Sequence, residues 1–199
     1  EVAKKLIGNQ FLEVVAAPAY SDESLKIFIT KPNVRVLSFE PKINDRNKIL
    51  SVSGGLLIQS ADNKIITEDD LEVVTKRKPN KGEIQNALFA WKVCKYVKSN
   101  AIVFAANKQT LGIGAGQMSR IDSGKIAASK AKEFGFSLNG ASMASDAFFP
   151  FRDNVDNAHA LGIKCIIQPG GSIKDEEVIQ AANEADMSML FTKVRHFRH

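Results

Sequence analysis

Cysteine and histidine are scarce in this chain, and their placement excludes several classes of protein. The 199 residues include two cysteines and three histidines. Cys94 and Cys165 stand apart in apolar surroundings, so neither a zinc finger nor a disulfide scaffold is indicated. We predict two buried free thiols, as in a protein of the reducing cytoplasm. The sequence contains no recognisable Ser-His-Asp or Cys-His arrangement of a hydrolase.

Long hydrophobic runs are also absent. No apolar stretch approaches the roughly 18–20 residues that cross a bilayer, and the first residues lack the pattern of a signal peptide. The apolar fraction of 44% and the charged fraction of 25% are typical of a folded globular protein. The chain begins with Glu1 rather than Met, and we interpret it as a piece of a longer protein.

The net charge of +5 is compatible with an anionic partner. The densest basic run, Thr75–Gly82, contains Pro, Asn and Gly but no aromatic residue that could stack on a base. We therefore predict an exposed connector rather than a nucleic-acid-binding segment. Nucleic-acid binding stays a third and weaker hypothesis, and it would require an affinity that falls steeply with salt.

Segments typical of strands and helices alternate along the chain, which predicts a layered α/β fold. A polar loop is predicted over about residues 40–48. The predicted strands are 10–17, 34–37, 54–58, 100–105, 110–114, 163–167 and 187–191, and the predicted helices are 21–28, 84–97, 119–131, 153–161 and 172–185.

The segment from Ser145 to Asp156 combines three phenylalanines and a proline with four charged side chains. Aromatic rings offer flat apolar surfaces for stacking, and Asp, Asn and Arg offer directional hydrogen bonds. This combination indicates a pocket for a planar, polar ligand. The alternative is a tight loop whose rings plug the core while its charges face water.

Two glycine-rich turns, Gly112–Arg120 and Gln168–Ser172, each join a predicted strand to a predicted helix. Such turns gather at the carboxyl ends of strands, where α/β proteins bind ligands. Free N–H groups at a helix start attract anions, although flexible glycines in a tight turn explain the first pattern equally well. Arg120 opposes the helix dipole and so needs an anionic or carbonyl partner. Asn100 has two interpretations. Its side-chain amide binds a carboxamide or the edge of a ring, or the residue ends a helix.

Five segments, in this order, resemble the C-terminal part of a known enzyme family. They are Lys98–Asn100, Gly112–Arg120, Ser145–Asp156, Gln168–Ser172 and Arg195–His199. The family is that of the bifunctional purine biosynthesis proteins, which combine AICAR transformylase with IMP cyclohydrolase. The resemblance extends from about residue 73 to residue 199, and the segment before it fits the same family less specifically.

The resemblance implies a three-layer α/β/α fold of the cytidine-deaminase-like type. Residues 73–199 would form the C-terminal transformylase subdomain, and residues 1–72 the end of the preceding subdomain with a connector. It further implies a cytoplasmic homodimer with active sites at the subunit interface. The transformylase moves a formyl group from 10-formyltetrahydrofolate to the amine of AICAR. The expected partners are therefore these small molecules, with neither nucleic acid nor membrane.

The resemblance also assigns roles to single residues. Ser99 and Asp146 match positions that bind potassium in some family members, and His199 is a further, less specific match for the catalytic site. The residues that match substrate-binding positions are Asn100, Arg120, Phe148 and Arg195 for AICAR, and Asp153 and Asn154 for the folate.

The chain departs from the family in what it lacks. The catalytic Lys-His pair of the transformylase lies in a Lys-His-x-Asn-Pro-Cys-Gly motif, and this motif is absent, as is the cyclohydrolase domain. We therefore expect a fragment that contributes binding residues but is inactive alone. The alternative is a non-catalytic module that binds a nucleotide or folate, or that serves in assembly.

Overall fold

The computed structural model describes residues 1–41 and 47–199. Its contacts divide the chain into two compact units, residues 1–61 and residues 62–199. Residues 62–72, which were predicted to belong to the first segment, group with the second unit, because Ile66 packs in its core and Glu72 pairs with a strand of its sheet. The polar loop predicted over residues 40–48 lies largely outside the described residues.

The first unit contains two short helices and two separate pairs of strands. Its elements are α1 (Val2–Asn9), β1 (Val14–Ala17), α2 (Asp22–Phe28), β2 (Arg35–Ser38), β3 (Lys48–Val52) and β4 (Gly55–Gln59). β1 and β2 are parallel, and β3 and β4 form an antiparallel hairpin whose residues are all exposed. Ser21 caps α2 by accepting a hydrogen bond from the backbone N–H of Ser24, as predicted.

The second unit is built on a mixed sheet of six strands. They are β5 (Glu72–Val73), β6 (Ile102–Ala106), β7 (Gln109–Gly114), β8 (Ser142–Ser145), β9 (Cys165–Gln168) and β10 (Ser188–Phe191). Their order across the sheet is β5-β10-β9-β8-β6-β7. β8, β9 and β10 are parallel, and the other pairings are antiparallel.

Helices cover both faces of this sheet. They are α3 (Lys81–Cys94), α4 (Arg120–Glu133), α5 (Asp153–Ala160) and α6 (Asp175–Glu184). One face packs against α4, α5 and α6 through residues such as Ala127, Val155 and Val178. The other packs against α3 through Trp91 and Cys94. The predicted three-layer α/β/α class is confirmed, and none of the described helices has the length and apolar character of a membrane span.

The basic run Thr75–Gly82 is only partly the exposed connector that we predicted. Its lysines are exposed, but the Arg77 guanidinium donates to both carboxylate oxygens of Glu83, at 2.7 and 3.1 Å, and to the Ser188 hydroxyl at 2.5 Å. Glu83 in turn forms a capping box with Asn80 at the start of α3. The exposed-connector interpretation is therefore wrong for Arg77, which joins the helix to the sheet.

The bounds of three predicted elements also need correction. α3 extends over Lys81–Cys94 instead of residues 84–97. β1 begins at Val14, not at residue 10. α6 begins at Asp175 rather than at Ser172, because the Asp175 carboxylate accepts hydrogen bonds from the backbone N–H groups of Gly171 and Ser172 and fixes them as a turn.

Candidate functional site

The loops that carry the predicted site residues meet at one edge of the sheet. Ile102, near the start of β6, pairs with Ser145 at the end of β8 and with Gly114 at the end of β7. Asn100 therefore precedes β6 at the same edge where Asp146 follows β8. This is the edge at which α/β sheets bind ligands, as the sequence analysis expected.

Arg120 and Asp146 form a buried ion pair at this edge. Nη2 of Arg120 donates to Oδ1 of Asp146 at 3.2 Å, and the Asp146 side chain is fully buried whereas 15% of the Arg120 side chain is exposed. Asp146 is thus the anionic partner that the helix-dipole argument required for Arg120. Within the described part of the chain, Arg120 Nε and Asp146 Oδ2 are buried without a hydrogen-bond partner. One donor and one acceptor therefore remain for a ligand.

Asn100 holds the loop that leads into α4. Its side-chain Nδ2 donates to the carbonyls of Gln117 and Met118, both at 2.9 Å. Both amide hydrogens are thus used internally, and only Oδ1 is left to accept a hydrogen bond from a ligand. The alternative that Asn100 ends a helix is wrong, because α3 ends at Cys94.

Two glycines before α4 are required by packing. A Cβ atom on Gly112 would lie 2.0 Å from the carbonyl oxygen of Ala127, and one on Gly114 would lie 1.8 Å from that of Ser123. The two glycines therefore allow α4 to lie directly on β7. The predicted cap of α4 by Ser119 is confirmed.

The tight-loop interpretation of the phenylalanine-rich segment holds for Phe149, and the pocket interpretation stays a prediction. Phe149 is fully buried in the core, Phe148 is half-buried and Phe151 is 56% exposed. The backbone N–H of Phe149 donates to Oε1 of the buried Gln168, at 3.0 Å. Gln168, at the end of β9, thus fixes the loop so that Phe148 stays near the surface, a role that the sequence analysis did not assign.

Asp153 and Asn154 start α5 beside a large cleft. Oδ1 of the exposed Asp153 accepts hydrogen bonds from the backbone N–H and the side-chain Nδ2 of Asn154, at 2.8 and 3.0 Å. Asn154 is buried and lines a cleft of about 660 Å³ between α4 and α5, with Lys125 and Lys132 also in its lining. The rest of the lining is chiefly apolar and includes Phe104, Ile121, Phe136, Leu138, Met143 and Leu161.

The C-terminal segment is docked on the same edge of the sheet. The backbone N–H of His196 donates to the Asp146 carbonyl at 2.9 Å, and that of Ser99 donates to the Arg198 carbonyl at 2.8 Å. The backbone N–H of Arg198 donates to Ser99 Oγ at 3.1 Å. Ser99 and Asp146, the predicted potassium ligands, are therefore both bound to a short stretch of this segment.

The exposed side chains of Arg195 and His199, in the same segment, both lie close to the Phe197 ring. The guanidinium carbon of Arg195 lies 5.2 Å from the centre of the Phe197 ring, and the His199 ring centre lies 5.7 Å from it. Arg195 and His199 are thus brought together, on the side of the segment opposite to the buried His196.

Neither thiol is suited to nucleophilic chemistry. Cys94 and Cys165 are buried and free, as predicted. Burial raises the pKa of Cys165 to about 12 and that of Cys94 well above its usual value, so both remain protonated and inert at neutral pH. Among the described residues, no group of three or more His, Cys, Asp or Glu is placed to hold a metal ion.

The chain is similar to solved structures at low sequence identity. One similar structure is a diaminohydroxyphosphoribosylaminopyrimidine deaminase/5-amino-6-(5-phosphoribosylamino)uracil reductase from Thermotoga maritima, with 14% identity over 55% of this chain and a TM-score of 0.39. Another is RibD from Acinetobacter baumannii, with 14% identity over 53% of this chain and a TM-score of 0.35. This chain spans 35% and 32% of their respective lengths.

Comparison with family models is more informative. The model described as AICARFT/IMPCHase bienzyme matches residues 1–130. The match includes the whole first unit, for which the motif resemblance was less specific, together with Asn100 and Arg120. It ends before the Ser145–Asp156 segment. Because it covers well over half of the sequence, the chain belongs to the AICARFT/IMPCHase bienzyme family.

Proposed function

We propose that this chain is a C-terminal part of AICAR transformylase that binds AICAR and the folate during formyl transfer from 10-formyltetrahydrofolate. Membership in the family places the chain in an enzyme of purine biosynthesis. The observation that carries the finer proposal is the buried Arg120–Asp146 pair, whose unpartnered Nε and Oδ2 lie at the ligand-binding edge of the sheet.

Arg120 and Asn100 offer complementary groups to a carboxamide. The Nε–H of Arg120 would donate to the carboxamide oxygen of AICAR, and Oδ1 of Asn100 would accept from its NH₂ group. The amine of AICAR is a poor nucleophile, because its electrons delocalise into the imidazole ring and the carboxamide. Held geometry lowers such a barrier by about 7–11 kcal/mol at best. The half-buried ring of Phe148 would pack on the imidazole, and Arg195 and His199 would approach from the C-terminal segment.

The folate would bind beside α5. The exposed Asp153 carboxylate would accept hydrogen bonds from the pterin, and the apolar cleft lined by Asn154 offers space for a flat ring. In the transfer, the amine nitrogen attacks the formyl carbon, the bond from that carbon to the folate nitrogen breaks, and a proton passes from amine to folate. That proton needs a general base and acid. The Lys-His pair that would supply them lies outside this chain, so we propose that the chain is inactive alone.

The residues also fit a bound potassium ion. The buried, unpartnered Oδ2 of Asp146 is suited to a cation, and the hydroxyl of Ser99 is a second oxygen ligand within the same network. Potassium would neutralise the carboxylate and fix the C-terminal segment against the sheet edge. Ser99 and Asp146 are the residues that we propose as its side-chain ligands.

Calorimetry with AICAR tests the proposal through Arg120→Lys. Lysine keeps the positive charge beside Asp146 but loses the Nε–H donor of the guanidinium. We expect AICAR affinity to fall by about tenfold or more, as for a hydrogen bond to a charged donor. Arg152→Lys is the matched control, because the half-buried Arg152 is paired with Asp156 and Glu184 rather than with Asp146. Equal affinities of the two variants would contradict the proposal.

The alternative of an assembly module rests on the exposed hairpin β3–β4, whose apolar side chains suit a protein interface. It predicts no AICAR binding by the chain but a stable oligomer. The transformylase proposal includes a homodimer as well, so AICAR binding rather than oligomeric state separates the two.

A further inference from the structure

Two buried polar side chains hold the loop that carries Phe148. Ser145 is the last residue of β8 and Gln168 is the last residue of β9, and both are fully buried. β8 and β9 are parallel neighbours in the sheet. Ser145 and Gln168 therefore lie next to each other at the edge of the sheet that carries the candidate site. The proposed function assigns no contact with a ligand to either side chain.

Each of these side chains fixes one neighbour of Phe148. The Ser145 hydroxyl donates to the Ala147 carbonyl at 2.7 Å. Oε1 of Gln168 accepts from the backbone N–H of Phe149 at 3.0 Å. Ala147 and Phe149 are themselves buried. The half-buried Phe148 thus lies between two residues whose positions are fixed from the ends of two strands.

Core packing does not explain why an amide is buried at position 168. The rest of β9, residues 165–167, is apolar, and glutamine is mostly an exposed residue in proteins. Nε2 of Gln168 donates to Sδ of Met189 at 3.3 Å, but a thioether is only a weak acceptor. An apolar side chain of the same length would avoid burying this donor. The hydrogen bond that requires the amide is therefore the one that Oε1 accepts from Phe149.

We propose that Ser145 and Gln168 are positioning residues for AICAR, because they hold the Phe148 ring where the imidazole packs on it. This role rests on the proposed function, which assigns that contact to Phe148. Since the loop is fixed before the ligand arrives, little conformational entropy is lost when AICAR binds. Loss of either hydrogen bond leaves all contact groups in the chain but lets the ring move, so AICAR affinity falls.

The backbone of the same turn holds the start of the C-terminal segment. The carbonyls of Gln168 and Pro169 accept from the backbone N–H groups of Thr192 and Lys193, at 3.0 and 3.1 Å. A substitution of the Gln168 side chain leaves these two backbone hydrogen bonds in place. Its effect on binding therefore reports on the Phe148 loop rather than on the C-terminal segment.

Gln168→Met keeps the length of the side chain but removes Oε1. We expect its AICAR affinity, measured by calorimetry, to fall by about fivefold or more. Gln168→Glu keeps an oxygen that accepts from the Phe149 N–H in either protonation state, and it should bind AICAR like the unmodified chain. Gln180→Met makes the first change at an exposed residue and should also bind normally. Because Gln168→Met and Gln168→Glu both disturb a buried position, equal losses of affinity in the two would overturn the proposal.

Ser145→Ala tests the second hydrogen bond. We expect weaker AICAR binding from it, whereas Ser142→Ala should bind normally. Ser142 is an equally buried serine at the other end of β8, and its hydroxyl donates to the Glu83 carbonyl at 3.2 Å. Both variants lose a buried hydroxyl, so a loss of affinity in both would contradict a role specific to the loop.

A double-mutant cycle with Phe148→Ala shows whether Gln168 acts through the ring. Once the ring is removed, Gln168→Met should cause no further loss of AICAR affinity. Additive losses would overturn the proposal, because residues that act independently have additive effects.

Hydrogen exchange at the Phe149 amide tests the hydrogen bond without AICAR. We expect exchange in the free chain to be about tenfold faster or more in Gln168→Met, and unchanged in Gln168→Glu. If the unmodified chain does not bind AICAR but shows this pattern, the proposed function fails while the fixing of the loop is supported. Unchanged exchange in Gln168→Met would overturn the proposal whatever the AICAR affinity.

Discussion

Asp146 connects α4 and the C-terminal segment at the edge of the sheet. Its carboxylate holds Arg120 at the start of α4, and its carbonyl accepts the backbone N–H of His196 from the C-terminal segment. Removing one partner of a buried ion pair leaves an uncompensated charge and costs about 3–5 kcal/mol. A substitution of Asp146 is therefore a poor probe of binding, because it leaves the buried guanidinium of Arg120 without its anion at the start of α4. Arg120→Lys is preferable for that reason.

Cys165 makes the fold less stable at alkaline pH. Burial raises the pKa of this thiol from 9.0 to about 12. Between these values the unfolded chain loses a proton that the folded chain keeps, so the free energy of unfolding falls as pH rises above 9.0. One such thiol contributes a slope of up to about 1.4 kcal/mol per pH unit. Below pH 9.0 the contribution is fully present.

Urea unfolding of the chain and of Cys165→Ala, at a series of alkaline pH values, measures this contribution. The variant starts less stable because it leaves a cavity, but we expect its stability to fall less steeply above pH 9.0. Cys94 titrates in both proteins and cancels in the comparison. Parallel curves would show that Cys165 is not the responsible group.

At the scale of the residue, the sequence shows that a side chain needs a partner, but it does not show which residue is that partner. The helix dipole shows that Arg120 requires an anion, yet Asp146 lies 26 positions along the chain, and only the antiparallel pairing of β6 with β8 brings it near. Asn100 lies at the same edge of the sheet as Asp146, and its role in binding stays a prediction. Its amide hydrogens bind the chain itself, because the loop before α4 has free carbonyls that no sequence pattern announces. Gln168 was missed for the same reason.

At the scale of the element, the contact of α4 with β7 depends on Gly114. A Cβ atom there would lie 1.8 Å from the carbonyl oxygen of Ser123, so Gly114→Ala must push the helix from the strand. Overpacking of this kind costs about 1–3 kcal/mol. Since Arg120 starts the same helix, we also expect weaker AICAR binding. Thermal unfolding and calorimetry measure the two effects.

Gly124→Ala in α4 is the control for this substitution. A Cβ atom on Gly124 meets nothing within 4 Å, and alanine is the better helix former by about 1 kcal/mol. The same chemical change should therefore stabilise the chain at position 124 and destabilise it at position 114. Stabilisation at both positions would show that α4 does not lie directly on β7.

Helix starts were predictable where the cap is local. Ser21 and Ser119 cap α2 and α4 because each lies three residues before the N–H that it accepts. α1 has no side-chain cap, and β3 has no alternation of buried and exposed residues, because all of them are exposed. Neither element was therefore predicted from the sequence. The start of α6 was predicted too early. Ser172 does not cap the helix; its backbone N–H instead donates to the carboxylate of Asp175, the first residue of α6.

At the scale of the whole molecule, the hairpin β3–β4 is the main exposed apolar feature of the first unit. Leu57 is 50% exposed and Leu56 is 65% exposed, and a two-stranded hairpin is marginally stable by itself. We expect the chain to self-associate through this hairpin, in keeping with the proposed homodimer. Leu57→Lys should shift the mass measured by light scattering toward the monomer.

Gln59→Lys adds the same charge at an exposed polar position of β4 and should leave the mass unchanged. A monomeric unmodified chain, or identical masses for the two variants, would contradict self-association through the hairpin.

The fold class could be predicted from the sequence, whereas the order of the strands in the sheet could not. The alternation of apolar segments predicted a layered α/β fold, because buried strands and amphipathic helices carry their own periodicity. The order of the strands depends on pairings between distant segments. The grouping of residues 62–72 with the second unit likewise depends on contacts between distant segments, such as the pairing of Glu72 with Phe191 and the packing of Ile66 against the α3 face of the sheet.

The contact of Arg198 with Ser99 closes a loop of 99 positions. Closing so long a loop has a large entropic cost, which only the completed sheet can repay. The C-terminal segment should therefore dock last during folding and detach first during local opening. A ligand bound at this edge would then stabilise the docked segment. It should slow hydrogen exchange at the amides of Ser99 and Arg198 and leave exchange at the already protected amides of β9 unchanged.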